Sequence, residues 1–392
     1  MDIAIKDPVV FSLFLIFTGA TVLATLALFA RQALPVAYIV LGVIIGPYGL
    51  SYINDPEVVR QMAEIGIIFL LFLLGLDLTP QELLHMLRKA TLITFGSSLI
   101  FAAVGTAVAA LFGFTVVESV LIGAAMMFSS TIIGLKLLPT TALHHQHMGE
   151  IIISILLLQD LLAIALLLLL EGFAGDGSIW AGFGLLVIAL PLLTGFAFLI
   201  ERYVLIKLIA RFDRIREYIF LAAIGWCLGI AELATVFGLS HEIGAFIAGV
   251  TLASSPIALY IAESLRPLRD FFLVLFFFSL GAGFDPGVMA EVWLPALLLA
   301  ALMLIGKPFV FKFFLVRAGE KPGQSLEVGF RIGQISEFSL LIVVLALERQ
   351  LMSGAASYLV QAATLLTFVV STYYIVLTYP TPVAVSDRLR RD

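Results

Sequence analysis

Long apolar stretches recur along this chain from one end to the other, separated by short joints that contain polar residues, glycine and proline. Most stretches reach the roughly 20 residues with which a helix crosses the hydrocarbon core of a bilayer. A helix satisfies its own backbone in lipid, and the short alternating segments of a transmembrane barrel are absent from the sequence. Only 12% of the residues are charged and 61% are hydrophobic. The pattern therefore predicts an all-α polytopic membrane protein.

Thirteen spans are predicted when the joints serve as boundaries and a window of roughly 20 residues serves as the ruler. Together they form a transmembrane transport domain over residues 1–380, followed by a cytoplasmic tail at 381–392. The spans fall near residues 8–29, 33–51, 61–77, 91–113, 117–138, 149–170, 179–203, 217–237, 240–256, 269–284, 291–315, 326–348 and 352–378.

Basic residues divide the joints into two alternating sets. Most lysines and arginines fall in one set, for example between residues 202 and 216, whereas the other set contains only Lys6, Arg60 and Arg349. Joints rich in lysine and arginine face the cytoplasm. The N-terminus is therefore expected outside and the C-terminus inside, in agreement with an odd number of spans.

An internal repeat is readable at three places, each pair separated by about 206 positions. The matching segments are Phe72–Leu78 with Phe278–Asp285, the surroundings of Gly42 with those of Gly249, and Ser129–Thr131 with Ile335–Glu337. The separation covers seven spans, so the two copies have opposite orientations, as in many transporters. The repeats are predicted at about 8–170 and 217–378, with a linker helix at 179–203. Chance resemblance between apolar segments is the alternative.

Asp160 follows Gln159 in the middle of the run ILLLQDLLAIALLLLL. A carboxylate at that depth costs about 2.5–3.5 kcal/mol on insertion scales, so it indicates a functional site unless it is protonated and bonded to a neighbouring helix. Such a group can bind either a proton or a dehydrated cation. The amide of Gln159 can coordinate a cation but does not titrate. One carboxylate beside one amide favours one proton exchanged per cation, an electroneutral cycle.

Ser129, Ser130 and Thr131 place three hydroxyls in the middle of the fifth span, and Ser336 lies in the matching part of the twelfth. Hydroxyl groups compete for backbone hydrogen bonds, which favours an unwound segment whose carbonyl groups face an ion. The sequence thus predicts two crossed discontinuous helices with these four residues as ion ligands. Hydroxyls that only join neighbouring helices are the alternative.

Two basic residues, Lys307 and Arg331, lie inside apolar segments. Each should face the protein interior with a partner, for which Glu337 and Asp160 are the candidates. We expect Lys307 to hold the negatively polarised ends of the half-helices or to pair with Asp160 when no cation is bound. A purely structural ion pair is the alternative.

Several of these motifs together resemble the second family of monovalent cation/proton antiporters, in particular its Kef-type potassium efflux branch. The resemblance covers nearly the whole chain. It is carried by LGVIIGPYGL (41–50), LLFLLGLDL (70–78), MFSSTIIGLKLL (127–138), LLLQDLLAI (156–164), the helix of Lys307 and GQISEF (333–338).

The resemblance implies a thirteen-span Na⁺/H⁺ antiporter-like fold, an elevator-like movement and a homodimer. It implies that Asp160 binds both cation and proton and that the pair with Gln159 selects K⁺, whereas relatives with Asn-Asp or Asp-Asp include Na⁺/H⁺ antiporters. Kef-type proteins usually have two glycines where this chain has Ile335 and Ser336. They also continue into a cytoplasmic nucleotide-binding regulatory domain, whose Gly-rich turn the sequence lacks.

The leading functional prediction is secondary active exchange of K⁺ for H⁺ across a bacterial inner membrane, without enzymatic activity, cofactor or nucleic-acid partner. Na⁺/H⁺ antiport is the nearest alternative. A gated K⁺ efflux channel would lack the usual TVGYG filter, and GAGFD (281–285) has one residue too many for an intramembrane aspartyl protease motif. A sodium-coupled carrier of organic solutes would need more polar residues than the surroundings of Asp160 provide.

Overall fold

The described residues of this protein form helices joined by turns. The computed structural model describes residues 8–53, 56–77, 80–137, 147–173, 179–212, 214–253, 255 and 257–381. In chain order the helices are α1 (Pro8–Phe29), α2 (Leu34–Ile45), α3 (Pro56–Asp77), α4 (Pro80–Leu111), α5 (Val116–Ala125), α6 (Thr131–Lys136), α7 (His147–Phe173), α8 (Ile179–Ile200), a π-helical segment (Glu201–Leu205), α9 (Ile206–Arg211), α10 (Arg216–Val236), α11 (His241–Ala253), α12 (Ala258–Ala282), α13 (Pro286–Arg317), α14 (Pro322–Arg331), α15 (Glu337–Glu348) and α16 (Gly354–Thr378).

Within these described ranges, six helices contain segments long and apolar enough to cross a membrane. They are Val9–Phe29, Ala90–Leu111, Met148–Leu170, Arg216–Val236, Gly287–Arg317 and Gly354–Thr378. Each of the thirteen predicted spans overlaps a described helix or a pair of shorter described helices. The predicted all-α polytopic fold class is confirmed.

Two of the predicted spans are interrupted. The first break comprises residues 126–130 between α5 and α6, and the second break comprises residues 332–336 between α14 and α15. The two breaks are 206 positions apart, the spacing of the sequence repeat. The discontinuous helices that the sequence predicts are therefore present at both places.

Serine side chains explain why a new helix begins after each break. In the first break, the hydroxyl oxygen of Ser130 accepts a hydrogen bond from the backbone N–H of Ile133 at 3.2 Å. In the second, Ser336 is the N-cap of α15, and its hydroxyl accepts from the N–H of Phe338 at 3.1 Å. Serine is a favoured N-cap because it satisfies a backbone donor that has no partner within the helix.

The chain divides into two compact units. Unit 1 comprises residues 1–20, 38–85 and 168–283, and unit 2 comprises residues 21–37, 86–167 and 284–392. Each unit combines segments from both predicted repeats. The repeat boundaries and the linker helix at 179–203 remain predictions.

Glycines allow close helix packing inside unit 1. A Cβ atom at Gly42 on α2 would overlap the carbonyl oxygen of Phe278 on α12, and a Cβ atom at Gly249 on α11 would overlap that of Phe72 on α3. These four residues belong to the repeated segments of the sequence. The glycine of the first copy thus packs against the second copy, and the glycine of the second copy packs against the first.

In unit 2, Glu118 joins the beginnings of two helices. Its carboxylate accepts hydrogen bonds from the N–H and hydroxyl of Thr115, the N-cap of α5, at 3.0 and 2.8 Å. Its other oxygen accepts from the N–H of Ser353, the N-cap of α16, at 3.0 Å. This arrangement fixes the start of α5 beside the start of α16.

A candidate ion-binding site at two helix breaks

Asp160 is a buried carboxylate on α7 that lies beside the first residue of α6. It is 2% exposed. The hydroxyl of Thr131, the first residue of α6, donates to its Oδ2 at 3.4 Å. The amino end of a helix favours negative charge. The position therefore favours a negatively charged side chain.

Gln159 uses both ends of its amide to hold the first break. Its Oε1 accepts the backbone N–H of Ser129 at 3.0 Å, and its Nε2 donates to the carbonyl oxygen of Met127 at 3.1 Å. The side chain is fully buried. Because an amide oxygen has two lone pairs, Oε1 can keep the bond to Ser129 and still face a cation. The pair on α7 thus combines a titratable group with a fixed support for the unwound backbone.

We expect Gln159→Leu to lower the melting temperature of the purified protein. The change leaves the N–H of Ser129 and the carbonyl of Met127 without the amide, at a cost of about 1–3 kcal/mol for each buried group. Gln361→Leu is the matched control, because the amide of Gln361 is also buried but donates to Ser357 on its own helix at 3.0 Å. Equal melting temperatures for the two variants would contradict the role of Gln159.

Lys307 joins the two breaks. Its side chain on α13 is fully buried, and its Nζ donates to the carbonyl oxygen of Phe128 at 2.5 Å, to Oγ of Ser129 at 3.4 Å and to the carbonyl oxygen of Gln334 at 3.3 Å. The ring of Phe101 lies 5.1 Å from Nζ. The two carbonyls follow the C-terminal ends of α5 and α14, where backbone dipoles favour a cation.

The four predicted hydroxyl ligands thus have different local roles. Ser129 accepts from Lys307, and Thr131 donates to Asp160. Ser130 and Ser336 accept from the first turns of α6 and α15. All four lie in unit 2, and their roles as ion ligands remain predictions.

Arg331 has a different carboxylate partner from those proposed. Its guanidinium forms an ion pair with Glu327 on the same helix, with Nη2 2.7 Å from Oε1. It also donates to the carbonyl oxygens of Leu137 and Pro380, at 3.1 and 3.0 Å. The partner is therefore Glu327, rather than Glu337 or Asp160. Glu337 is half-buried and is the first residue of α15.

Comparison with known proteins places this arrangement in a family. The model of the family described as sodium/hydrogen exchanger, transmembrane, matches residues 13–378. The chain belongs to the sodium/hydrogen exchanger family.

Two relatives of this exchanger-family protein come from bacteria. YbaL of Escherichia coli (strain K12), named as a candidate cation/proton antiporter, is 30% identical over 366 residues, which are 90% of this chain and 65% of YbaL. The iron transporter MagA of Paramagnetospirillum magneticum (strain ATCC 700264 / AMB-1) is 28% identical over 348 residues, which are 88% of this chain and 80% of MagA. The chain thus spans about two thirds of the length of YbaL.

The exchanger-family fold is also seen in a solved structure. The sodium proton antiporter MjNhaP1 from Methanocaldococcus jannaschii, determined at pH 8, has a TM-score of 0.70 and 17% sequence identity. The match covers 93% of this chain and 95% of MjNhaP1. The antiporter-like fold that the sequence predicts is therefore confirmed.

Three polar residues around the second break of this exchanger-family protein are not predicted from its sequence. Gln334 Nε2 donates to the carbonyl oxygen of Ser130 at 3.3 Å, and its Oε1 accepts from the hydroxyl of Ser371 at 3.1 Å. Thr367 Oγ1 accepts from the N–H of Ile335 at 3.1 Å. The available signal is the series of hydroxyl residues in TLLTFVVST (364–372), which marks one face of α16 as polar.

Proposed function

We propose that this protein is a secondary active monovalent cation/proton antiporter that exchanges K⁺ for H⁺. The observation that carries the proposal is the burial of Asp160 beside a helix break, where the hydroxyl of Thr131 reaches its carboxylate. Intramembrane carboxylates mark ion pathways and proton relays. Membership in the sodium/hydrogen exchanger family supports the same reaction class.

Coupling follows from competition for one carboxylate. When Asp160 binds a proton, it loses the charge that attracts a cation; when it releases the proton on the other side, a cation binds there. The cation's ligands are the carboxylate, the hydroxyl of Thr131, the amide oxygen of Gln159 and oxygens of Ser129, Ser130 and Ser336. Alternating exposure of this site to the two sides completes the cycle without an enzymatic step.

One proton per cation makes the cycle electroneutral. Asp160 supplies a titratable group and Gln159 does not titrate, so the negative charge available for binding is one. A difference of one pH unit is worth about 1.4 kcal/mol per proton. At one-to-one stoichiometry, this drives roughly a tenfold cation gradient.

The preference for K⁺ rests on the pair of Gln159 with Asp160, through the resemblance to Kef-type proteins. Na⁺/H⁺ exchange is the second candidate, since the solved relative MjNhaP1 is a sodium proton antiporter. We propose that the antiporter is a homodimer in a bacterial inner membrane, with the N-terminus outside and the C-terminus in the cytoplasm. The basic joints support this orientation.

The proposal is tested in proteoliposomes with an internal pH dye. Pulses of K⁺, Rb⁺, Na⁺ and Li⁺ are compared, and a voltage-sensitive dye records any charge movement. We expect proton movement evoked best by K⁺ or Rb⁺, without a change in membrane potential. A Na⁺ or Li⁺ preference would favour the second candidate. Cation currents without proton movement would contradict antiport and favour a channel.

A further inference from the structure

A single peptide group of the first break is held at both ends. Its carbonyl, from Phe128, accepts a hydrogen bond from Lys307 Nζ at 2.5 Å, and its N–H, from Ser129, donates to Gln159 Oε1 at 3.0 Å. Because a peptide group is planar, fixing the N–H direction also fixes the direction of the carbonyl. Gln159 therefore aims this carbonyl at Lys307.

The second break repeats this arrangement with a different acceptor. The carbonyl of Gln334 accepts from Lys307 Nζ at 3.3 Å. The N–H of the same peptide group, from Ile335, donates to Thr367 Oγ1 on α16 at 3.1 Å. This peptide group lies 206 positions after the one in the first break. Lys307 thus lies between two related peptide groups, each oriented by a side chain from a neighbouring helix.

We infer that Thr367 is a positioning residue for the ion site and the counterpart, in the second repeat, of Gln159. Its hydroxyl orients the Gln334–Ile335 peptide group so that the carbonyl faces Lys307. Hydrogen bonds that follow one another in a chain also polarise one another. An acceptor for the N–H of Ile335 therefore makes the carbonyl of Gln334 a stronger acceptor for the ammonium group of Lys307. The inference rests on the proposed function for its effect on transport, but not for its effect on Lys307.

Thr364 offers a matched control on the same helix. Both threonines are fully buried, and each hydroxyl donates to a carbonyl oxygen one turn earlier on α16, Thr364 to Val360 at 2.7 Å and Thr367 to Thr364 at 2.9 Å. Thr364→Val and Thr367→Val therefore remove the same hydroxyl group from the same helix. Only Thr367→Val removes the acceptor for the N–H of Ile335 in the second break.

A double-mutant cycle on melting temperature tests the link to Lys307 without any transport measurement. If Thr367 acts through Lys307, Thr367→Val should lower the melting temperature less in a Lys307→Met background than in the wild type, by about half or more. Thr364→Val should cost the same in both backgrounds. Lys307→Gln provides a second background if the methionine variant does not fold. If Thr367→Val lowers the melting temperature as much in the Lys307 background that folds as in the wild type, the inference is overturned.

Exchange in proteoliposomes provides the second arm. We expect Thr367→Val to reduce the rate per folded protein about tenfold, since small displacements of a site are costly, and Thr367→Ser to restore most of it. Thr364→Val should remain within about twofold of the wild type. Equal rates for the two valine variants would overturn the inference. If no cation moves protons in the wild type but the stability coupling is present, the proposed function fails and the positioning role stands.

Discussion

Asp160→Asn should reduce cation-evoked proton movement to background while the protein remains folded. Asparagine has nearly the same shape, and its amide oxygen can still accept the hydrogen bond that Thr131 donates to Asp160 at 3.4 Å. It carries no charge for a cation and does not titrate. Both halves of the exchange therefore fail together. Flux in proteoliposomes, with melting temperature as the measure of folding, checks this outcome.

Asp285→Asn is the control for this prediction. Asp285 is the N-cap of α13, and its carboxylate accepts from the N–H of Gly287 at 2.7 Å. Asparagine caps helices about as well as aspartate, so exchange should be retained. Wild-type exchange in Asp160→Asn would show that another group couples protons to cations.

Lys307→Met should lower the melting temperature and reduce exchange strongly. Methionine preserves much of the side-chain volume but donates no hydrogen bond, so the carbonyls of Phe128 and Gln334 lose the ammonium group that now lies between them. Each buried polar group left without a partner costs about 1–3 kcal/mol, and more when a charged partner is lost. The two breaks would no longer be joined by this side chain, so we expect the site geometry to relax.

Lys312→Met, five residues later on α13, is the control because Lys312 is only half-buried. Its melting temperature should stay close to the wild type, since substitutions away from such networks are usually within about 0.5 kcal/mol. The desolvation cost of a buried charge can exceed what its partners return. A melting temperature that rises in Lys307→Met would therefore contradict a stabilising role for this lysine.

The length of the apolar stretches, the positions of polar residues within them and the spacing of the internal repeat were sufficient to predict the main features of the fold. The length of the apolar stretches predicted the helices, and the hydroxyl run at Ser129–Thr131 predicted an unwound segment that the structure has at 126–130. The constant spacing of 206 positions then predicted the second break. These features depend on residues that are close together in the sequence, so they can be predicted from it.

Partners across helices were harder to predict. Arg331 pairs with Glu327 four residues earlier on α14, whereas the sequence predicts Glu337 or Asp160 as its partner. Thr367 was not predicted because a hydroxyl in a membrane helix has the same sequence signature whether or not it accepts a hydrogen bond from a neighbouring segment. Thr364 and Thr367 both donate to a carbonyl oxygen of their own helix, but only Thr367 also accepts a hydrogen bond from the second break.

The two compact units also could not be read from the repeat. The sequence divides naturally into a first and a second copy, but each unit takes segments from both. Crosswise packing, such as Gly42 against Phe278 and Gly249 against Phe72, depends on helix neighbours in space. A linear comparison of the two copies does not contain that information.

Competition between K⁺ and H⁺ for Asp160 is tested most directly by the apparent KM for K⁺ as a function of pH. In proteoliposomes held at the same pH on both sides, a shared carboxylate predicts that KM rises about tenfold for each unit of pH decrease once the carboxylate is mostly protonated, because proton activity rises tenfold per unit. The maximal rate at saturating K⁺ should stay nearly constant. A KM independent of pH, with a maximal rate that falls on acidification, would contradict a shared site at Asp160.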